Sequence, residues 1–367
     1  MMRMVIAGGG TGGHLFPGMA IAEAFMDREA GNEVLFIGTE RGIEVQVLSG
    51  GPFPLKTIRV FPLKGGSLLR KAKALWSLPK AVLEALSILK EFRPQLVLGV
   101  GGYASGPVLI AALLLGMKRA IHEQNVIPGM TNRLLRWFSQ KIFISFEETQ
   151  RYFPKKKTIL TGNPIRKQFF SYCPTEREEI EGKKRDRFTV LVLGGSTGAH
   201  RLNEKVLEAL GPLLEIKSHL RFIHQTGRAD FDFVSKGYQE KGFEAIVQPF
   251  IENMASTYQI SDHVISRAGA STLSELALCG KAVILIPYPY AAHNHQLLNA
   301  QRLVKSGAAK MMKDEEVSGP RLAEMILHFY QHPEERARME EAILKVARPK
   351  ASEEIVDHCY RLVGRRE

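Results

Sequence analysis

The chain has 367 residues, room for two domains with separate apolar cores at roughly 150 residues per domain. Its composition, 45% hydrophobic and 24% charged, excludes disorder as the main theme, and three widely spaced cysteines (Cys173, Cys279, Cys359) suggest neither a disulfide framework nor a zinc ladder. The net charge of +12 is uneven: residues 1–160 carry 21 Lys and Arg against 11 Asp and Glu, so the first half should meet an anionic partner, whether nucleic acid, an acidic membrane surface or a phosphorylated substrate.

From the N-terminus the chain runs at once into Met4-Val5-Ile6-Ala7 and then glycines, too short an apolar run for a signal peptide. The longest unbroken apolar stretch, Val108 to Met117, is half of the roughly 20 residues that span a bilayer. A cytoplasmic protein without a transmembrane helix is expected.

Val5-Ile6-Ala7-Gly8-Gly9-Gly10-Thr11-Gly12-Gly13-His14 reappears later as Leu191-Val192-Leu193-Gly194-Gly195-Ser196-Thr197-Gly198-Ala199-His200. In both copies a β-type run enters a glycine-rich turn and leaves through an amphipathic helix, predicted over Ala20–Arg28 and Leu202–Leu210. That is the opening βα step of a Rossmann-like domain. Further strands are predicted at Glu33–Ile37, Leu96–Val100, Ala120–His122 and Lys141–Ile144, and then at Leu220–Gln225, Ala245–Gln248, His263–Ser266 and Ala282–Pro287. Helical segments separate most of them, so two parallel, doubly wound α/β sheets follow. The turn-rich stretch from Lys155-Lys156-Lys157 to Gly162-Asn163-Pro164 reads as a linker, which puts the domain boundary near 163.

Three glycine-rich loops follow predicted strands: Gly8–Gly13, Gly99–Gly106 and Gly194–Gly198. Each lets backbone N–H groups at a helix N-terminus approach a phosphate. The first matches G-x-G-x-x-G, but Ile37 is followed by Gly38-Thr39 and not by the acidic residue that a dinucleotide ribose wants. His14 and His200 stand directly after their loops, where a helix N-terminus should lower the imidazole pKa and leave a neutral base. His122-Glu123-Gln124-Asn125 ends a predicted strand at the crevice side of the sheet. The segment Ser266 to Glu275 offers small residues for a diphosphate and a carboxylate for a ribose diol, and Gln296 suits sugar hydroxyls. Asp230-Phe231-Asp232 has the spacing of a metal-diphosphate motif in an unsuitable context, and no His, Cys and carboxylate cluster offers a better site, so no metal is expected.

Together these segments, in this order, resemble the MurG family of bacterial N-acetylglucosaminyltransferases of peptidoglycan synthesis. The resemblance runs through Gly9–His14, Gly101–Pro107, His122–Asn125, Gly162-Asn163-Pro164-Ile165-Arg166, Gly194–Ala199, Ala268–Glu275, and His295-Gln296 with Asn299-Ala300. It implies a GT-B fold, two Rossmann-like domains with an interdomain cleft, and an inverting transfer of N-acetylglucosamine from UDP-GlcNAc to the MurNAc 4-hydroxyl of undecaprenyl-pyrophosphoryl-MurNAc-pentapeptide (lipid I), forming lipid II. Residues 1–163 would bind lipid I and the membrane, 164–345 the donor, and the C-terminal helix in 346–367 would pack back on the first domain. Donor contacts would come from Thr11, Gly12, Gly13, Asn125, Arg166, Ser196, Ile251, Ala270, Ser271, Thr272, Leu273, Ser274, Glu275 and Gln296. His14, Tyr103 and Asn132 would face the acceptor, its diphosphate lying at the first two glycine loops. His14 is the first candidate for the base and Glu123 the second. Arg267-Ala268 is where family members vary. The resemblance implies neither a cofactor nor a metal.

An acceptor held in a membrane has to be reached without a membrane span. Residues 56–93 hold nine Lys and Arg against two Glu, and Leu68, Leu69, Leu75 and Trp76, flanked by Lys71 and Lys73, suggest an amphipathic face for the anionic cytoplasmic side of the inner membrane. Two other readings are weaker. A dinucleotide-dependent oxidoreductase lacks its ribose acid, and a nucleic-acid binder lacks a recognition helix or aromatics along a basic groove, so no nucleic-acid partner is expected.

Overall fold

A computed structural model describes residues 1–40, 42–60, 68–172, 187–195 and 197–365, without the side chains of 68–76. The chain divides into two compact units, residues 1–166 with 348–367, and residues 167–347.

Unit 1 runs β1 (Arg3–Gly8), α1 (Gly12–Arg28), β2 (Glu33–Thr39), α2 (Ile43–Leu48), β3 (Leu55–Ile58), α3 (Leu68–Phe92), β4 (Leu96–Gly101), α4 (Ser105–Leu114), β5 (Lys118–Glu123), α5 (Met130–Leu135), β6 (Lys141–Ile144) and β7 (Thr158–Leu160). Unit 2 runs α6 (Gln168–Tyr172), β8 (Phe188–Leu193), α7 (His200–Ala209), β9 (Leu220–Gln225), α8 (Phe231–Lys241), β10 (Glu244–Gln248), α9 (Met254–Ile260), β11 (His263–Ser266), α10 (Ala270–Leu278), β12 (Val283–Leu285), α11 (His295–Lys305), β13 (Lys310–Met311), α12 (Gly319–Gln331) and α13 (Pro333–Leu344). The chain then returns to unit 1 as α14 (Ala351–Val363).

Among the described residues the strands of unit 1 lie in the order β3-β2-β1-β4-β5-β6-β7 and those of unit 2 in the order β10-β9-β8-β11-β12-β13, every pairing parallel. The chain therefore changes direction across the sheet between β1 and β4, and again between β8 and β11. Crevices at the carboxyl ends of such strand pairs are where open α/β sheets bind ligands. The central strands are buried on both faces, hence their near-continuous apolar runs, Met4–Ala7 and Val190–Leu193.

The cores follow from this layering. One face of the first sheet buries Ile6, Phe36 and Leu98 with Ile21 and Phe25 of α1 and Ile355, Val356 and Cys359 of α14. The other buries Val5, Val97 and Ile121 under Ala81, Ala85 and Leu89 of α3 and Val108 and Leu109 of α4. Tyr360 of α14 packs its ring, tilted, at 5.9 Å from that of Phe25, and its hydroxyl accepts from Asn32 Nδ2 and donates to Glu29. The stretch read as a linker instead contains β7, the edge strand of unit 1, and unit 1 extends to Arg166. Cys279, at the end of α10, is disulfide-bonded, and Cys359 is a buried free thiol.

Candidate active site

In unit 1 the first two glycine loops meet at the β1/β4 switch point. Gly102 approaches Gly9 O so closely that a Cβ at Gly102 has no room, and the Gly102 φ of +81° favours glycine independently. Ser105, the first residue of α4, ties the loops together: its Oγ contacts Ala7 O at 2.6 Å and Gly101 O at 2.8 Å, and accepts from Gly101 N.

His14, in the first turn of α1, lies half-buried on this junction. A Cβ on Gly101 would fall 2.7 Å from its Nδ1, so the glycine lets the ring lie flat against the backbone. Nδ1 faces Gln124 Oε1 at 3.2 Å. Burial lowers the His14 pKa below its ordinary 6.5, opposed by the Gln124 contact, a Val100 backbone contact and the charge of Glu44. The ring is thus neutral near pH 7, through desolvation more than through the helix end.

His200 corrects the matching expectation for the second half. It is largely exposed, and Asp230, 2.9 Å from its Nδ1, raises its pKa. Asp230 also accepts from Asn203 Nδ2 at 2.8 Å, so the first carboxylate of the D-x-D motif is spent on hydrogen bonds to α7. No group of three His, Cys, Asp or Glu suited to a metal occurs among the described residues.

Glu123 is likewise not an open base. It is 1% exposed, and its carboxylate accepts from Asn125 N (3.0 Å), Gly129 N (3.1 Å) and Asn132 Nδ2 (2.8 Å). Burial raises its pKa against those bonds. It acts as the anchor of the 125–132 turn, and Asn132, 2% exposed, supports that turn from inside and does not face an acceptor. Asn125 stays partly exposed at the turn's start, and Tyr103 is exposed on the second loop. Thr11 and Gly13 are exposed at the N-terminus of α1, while Gly12 is buried against Phe16.

Glu44 was not foreseen. This 1%-exposed carboxylate accepts from Gly10 N (2.7 Å), Thr39 N (2.8 Å) and Thr39 Oγ1 (2.9 Å). It fills the turn of the first loop, so the Gly10 amide is already hydrogen-bonded. Arg166 groups with unit 1 and not with the donor half assigned from the sequence; its guanidinium lies 4.3 Å from the centroid of Phe16 on α1.

In unit 2 the third glycine loop and the β11–α10 loop flank the β8/β11 switch point. Ser196 lies outside the described residues. Gly198 (φ +81°) packs on the Thr226 backbone, and Gln225 spans the region by donating to Gly195 O and accepting from Ile251 N, both at 2.9 Å. The Ile251 N–H is therefore taken, and of its backbone groups the carbonyl remains for the donor contact expected of this residue. At α10 the N–H of Leu273 closes the first turn on Gly269 O, and the backbone of Ala270, Ser271 and Thr272 forms the positive end of the helix. Ala270 and Leu273 are buried and have only backbone to offer; Ser271, Thr272, Ser274 and Glu275 are partly exposed. Ser274 Oγ bonds back to Ala270 O.

Gln296 accepts from Ala268 N (3.2 Å) and Tyr288 N (2.9 Å), so its carbonyl half joins two strand-end loops. His293 and Asn294, both at φ 54°, hold the left-handed turn that starts α11 and sets Gln296 in place. Arg267 is a strut beneath the loop: 8% exposed, it donates to Ile286 O (3.1 Å) and Asp314 Oδ1 (2.6 Å). Gln225 and Asp314, like Glu44, lie far along the chain from what they hold, and no motif announces them.

The model of the glycosyltransferase family 28 N-terminal domain matches residues 4–144 and that of the C-terminal domain residues 189–355. The chain belongs to glycosyltransferase family 28. Two relatives, from Myxococcus xanthus (47% identical, 99% of this chain and 94% of the relative) and Geobacter sulfurreducens (48%, 97% of each), carry the name UDP-N-acetylglucosamine–N-acetylmuramyl-(pentapeptide) pyrophosphoryl-undecaprenol N-acetylglucosamine transferase. The crystal structure of Acinetobacter baumannii MurG superposes with a TM-score of 0.75 at 28% identity, covering 98% of this chain and 100% of that one. An S. aureus MnaA–UDP co-structure, at 14% identity and a TM-score of 0.70, shares the fold. The family 28 assignment and the GT-B fold agree with the resemblance read from the motifs, and nothing among these relatives supports an oxidoreductase.

Proposed function

We propose that the chain is the N-acetylglucosaminyltransferase that moves GlcNAc from UDP-GlcNAc to the MurNAc 4-hydroxyl of lipid I, forming lipid II. Near-full-length identity of 47% to relatives of that name supports the activity. The observation that carries it to particular atoms is His14, a neutral imidazole at the junction of two glycine loops. An α-linked donor giving a β-1,4 product needs one in-line displacement with inversion. His14 takes the proton of the acceptor hydroxyl, and the positive end of α10 stabilises the departing UDP.

Unit 2 is the donor unit in this reading. The backbone of residues 270–272 and the third loop meet the diphosphate, the Ile251 carbonyl meets uracil, Glu275 the ribose and Gln296 the sugar. Unit 1 is the acceptor unit, with His14 and the exposed Tyr103 of the second loop on the acceptor side, and Thr11, Gly13 and Asn125 at the sugar end. Incubation with labelled UDP-GlcNAc and a lipid I analogue should give a labelled lipid-linked disaccharide, and its absence with folded enzyme defeats the assignment. Glu275→Ala should weaken UDP-GlcNAc binding by about 1.5–3 kcal/mol, the scale of a hydrogen bond to a charged group. Calorimetry reads this, and unchanged affinity removes Glu275 from the site.

The acceptor's lipid tail calls for a membrane-docking surface on the cytoplasmic face of the inner membrane. No described helix is long and apolar enough to cross a membrane. The side chains of Leu68, Leu69, Lys71, Lys73, Leu75 and Trp76, expected to form this surface, lie outside the described residues. A described surface supports the same role: Met130, Leu134 and Trp137, spaced i, i+4 and i+7 on and just after α5, are 59%, 60% and 65% exposed. Arg133 and Arg136 flank them, Arg136 stacking 4.8 Å from the Trp137 ring, and each cation near an anionic leaflet adds about 1 kcal/mol. Leu134→Glu with Trp137→Glu should cut sedimentation with anionic vesicles and leave UDP binding intact. Equal binding to neutral and anionic vesicles, or no effect of the double change, would defeat the placement.

A further inference from the structure

We propose that Gln124 is a positioning residue that holds His14 in its Nδ1–H tautomer and so presents the Nε2 lone pair to the acceptor hydroxyl. The inference rests on the reading of His14 as the base and deepens it.

Three contacts settle the direction of the Gln124 amide. Its Nε2 lies 2.8 Å from Val100 O, which can only accept, so the NH2 group occupies that side. The same Nε2 lies 3.2 Å from His122 Nδ1. The flipped amide would set two carbonyl oxygens 2.8 Å apart. Oε1 therefore faces His14 Nδ1 at 3.2 Å, and as an acceptor it requires a proton there. With Nδ1 protonated, the other nitrogen of the neutral ring carries the lone pair.

His122 locks the relay from behind. Its Nδ1 accepts from Gln124, so its Nε2–H donates to Gly162 O at 3.2 Å. The imidazole is fully buried and its pKa falls to about 4, so it stays neutral and keeps accepting through the working pH range. A proton on His122 Nδ1 would repel the Gln124 NH2 group and release the amide. Orientation thus passes from Gly162 through His122 and Gln124 to His14, with every donor and acceptor role assigned.

The test starts with the unmodified protein. Imidazole 15N spectra near pH 8, with His14 assigned by its loss in His14→Ala, should show Nδ1 protonated and Nε2 bare. An Nε2–H tautomer overturns the inference, whatever the turnover of His14→Ala. Gln124→Leu should lower kcat roughly 10-fold with the donor KM unchanged. It should also move the acid limb of the kcat profile to lower pH, because the contact it removes raises the His14 pKa. A kcat loss with the His14 tautomer and the acid limb both unmoved would reduce Gln124 to a packing role and overturn the inference. Full turnover in His14→Ala would instead sink the base assignment, a separate failure.

Discussion

Replacing His14 with alanine should lower turnover by about 10²- to 10⁴-fold, the usual contribution of general-base catalysis, with UDP-GlcNAc affinity unchanged. His14 is placed by α1 and the glycine-loop junction of unit 1, whereas the proposed donor contacts lie mainly on unit 2. Burial sets the sign of the pH dependence. The His14 pKa lies below 6.5, so the base is mostly unprotonated near neutrality and the midpoint of the acid limb of kcat should lie below that value. The alanine variant should lose this acid limb along with the rate. Turnover within a few-fold of the parent enzyme would move the base elsewhere, and Glu123, sealed behind three donors, is a poor second choice.

Unit 2 should lose stability steeply as pH falls below 6.5. His224 and His263 are fully buried, and burial takes both pKa values to about 3. Asn203 Nδ2 donates to Thr226 O and Asp230, so Asn203 Oδ1 accepts from His224 Nε2–H at 3.0 Å, and Tyr238 donates to Nδ1 at 3.1 Å. His263 stacks 4.4 Å from Phe329, and neither of its ring nitrogens has a hydrogen-bond partner among the described residues. Both folded-state values lie below the unfolded one. The stabilisation is complete above 6.5 and is lost toward 3, because the unfolded chain takes the protons first. Each histidine contributes a slope of about 1.4 kcal/mol per pH unit. His200, whose pKa is raised, acts in the opposite sense, but it is exposed and screened. Urea unfolding at pH 7.5 and 5.5 should show the drop. His263→Leu should remove one histidine's share of the slope and raise stability at neutral pH, since it deletes two unbonded buried nitrogens. An unchanged slope in that variant would show that His263 is not the titrating group.

The central strands were legible because burial on both faces writes them as unbroken apolar runs, as in Leu96–Val100 and Leu191–Leu193. The edges were not. Leu55–Ile58 carries two exposed residues among four, Thr158–Leu160 follows three lysines, and Lys310-Met311 is too short to show a period. The phosphate-type loops were legible because glycine is required where backbones touch, as at Gly102. What escaped depends on distant partners. His14 and His200 look alike in sequence, yet Gln124 and burial govern one while Asp230 and solvent govern the other. Glu123 looked reactive at a strand end, and the turn that follows it closes over its oxygens.

The carboxylate of Glu44 gives the first glycine turn an electrostatic sign that its letters conceal. A G-x-G-x-x-G turn ordinarily offers its amides to a pyrophosphate, but here a side chain from α2 already supplies the anion, with Gly9, Gly38 and Gly42 too close to it to carry a Cβ. A dinucleotide arriving at Gly10 would meet negative charge where it needs positive. The turn keeps the tight strand-to-helix corner of a Rossmann-like domain, and one buried glutamate takes up its Gly10 amide.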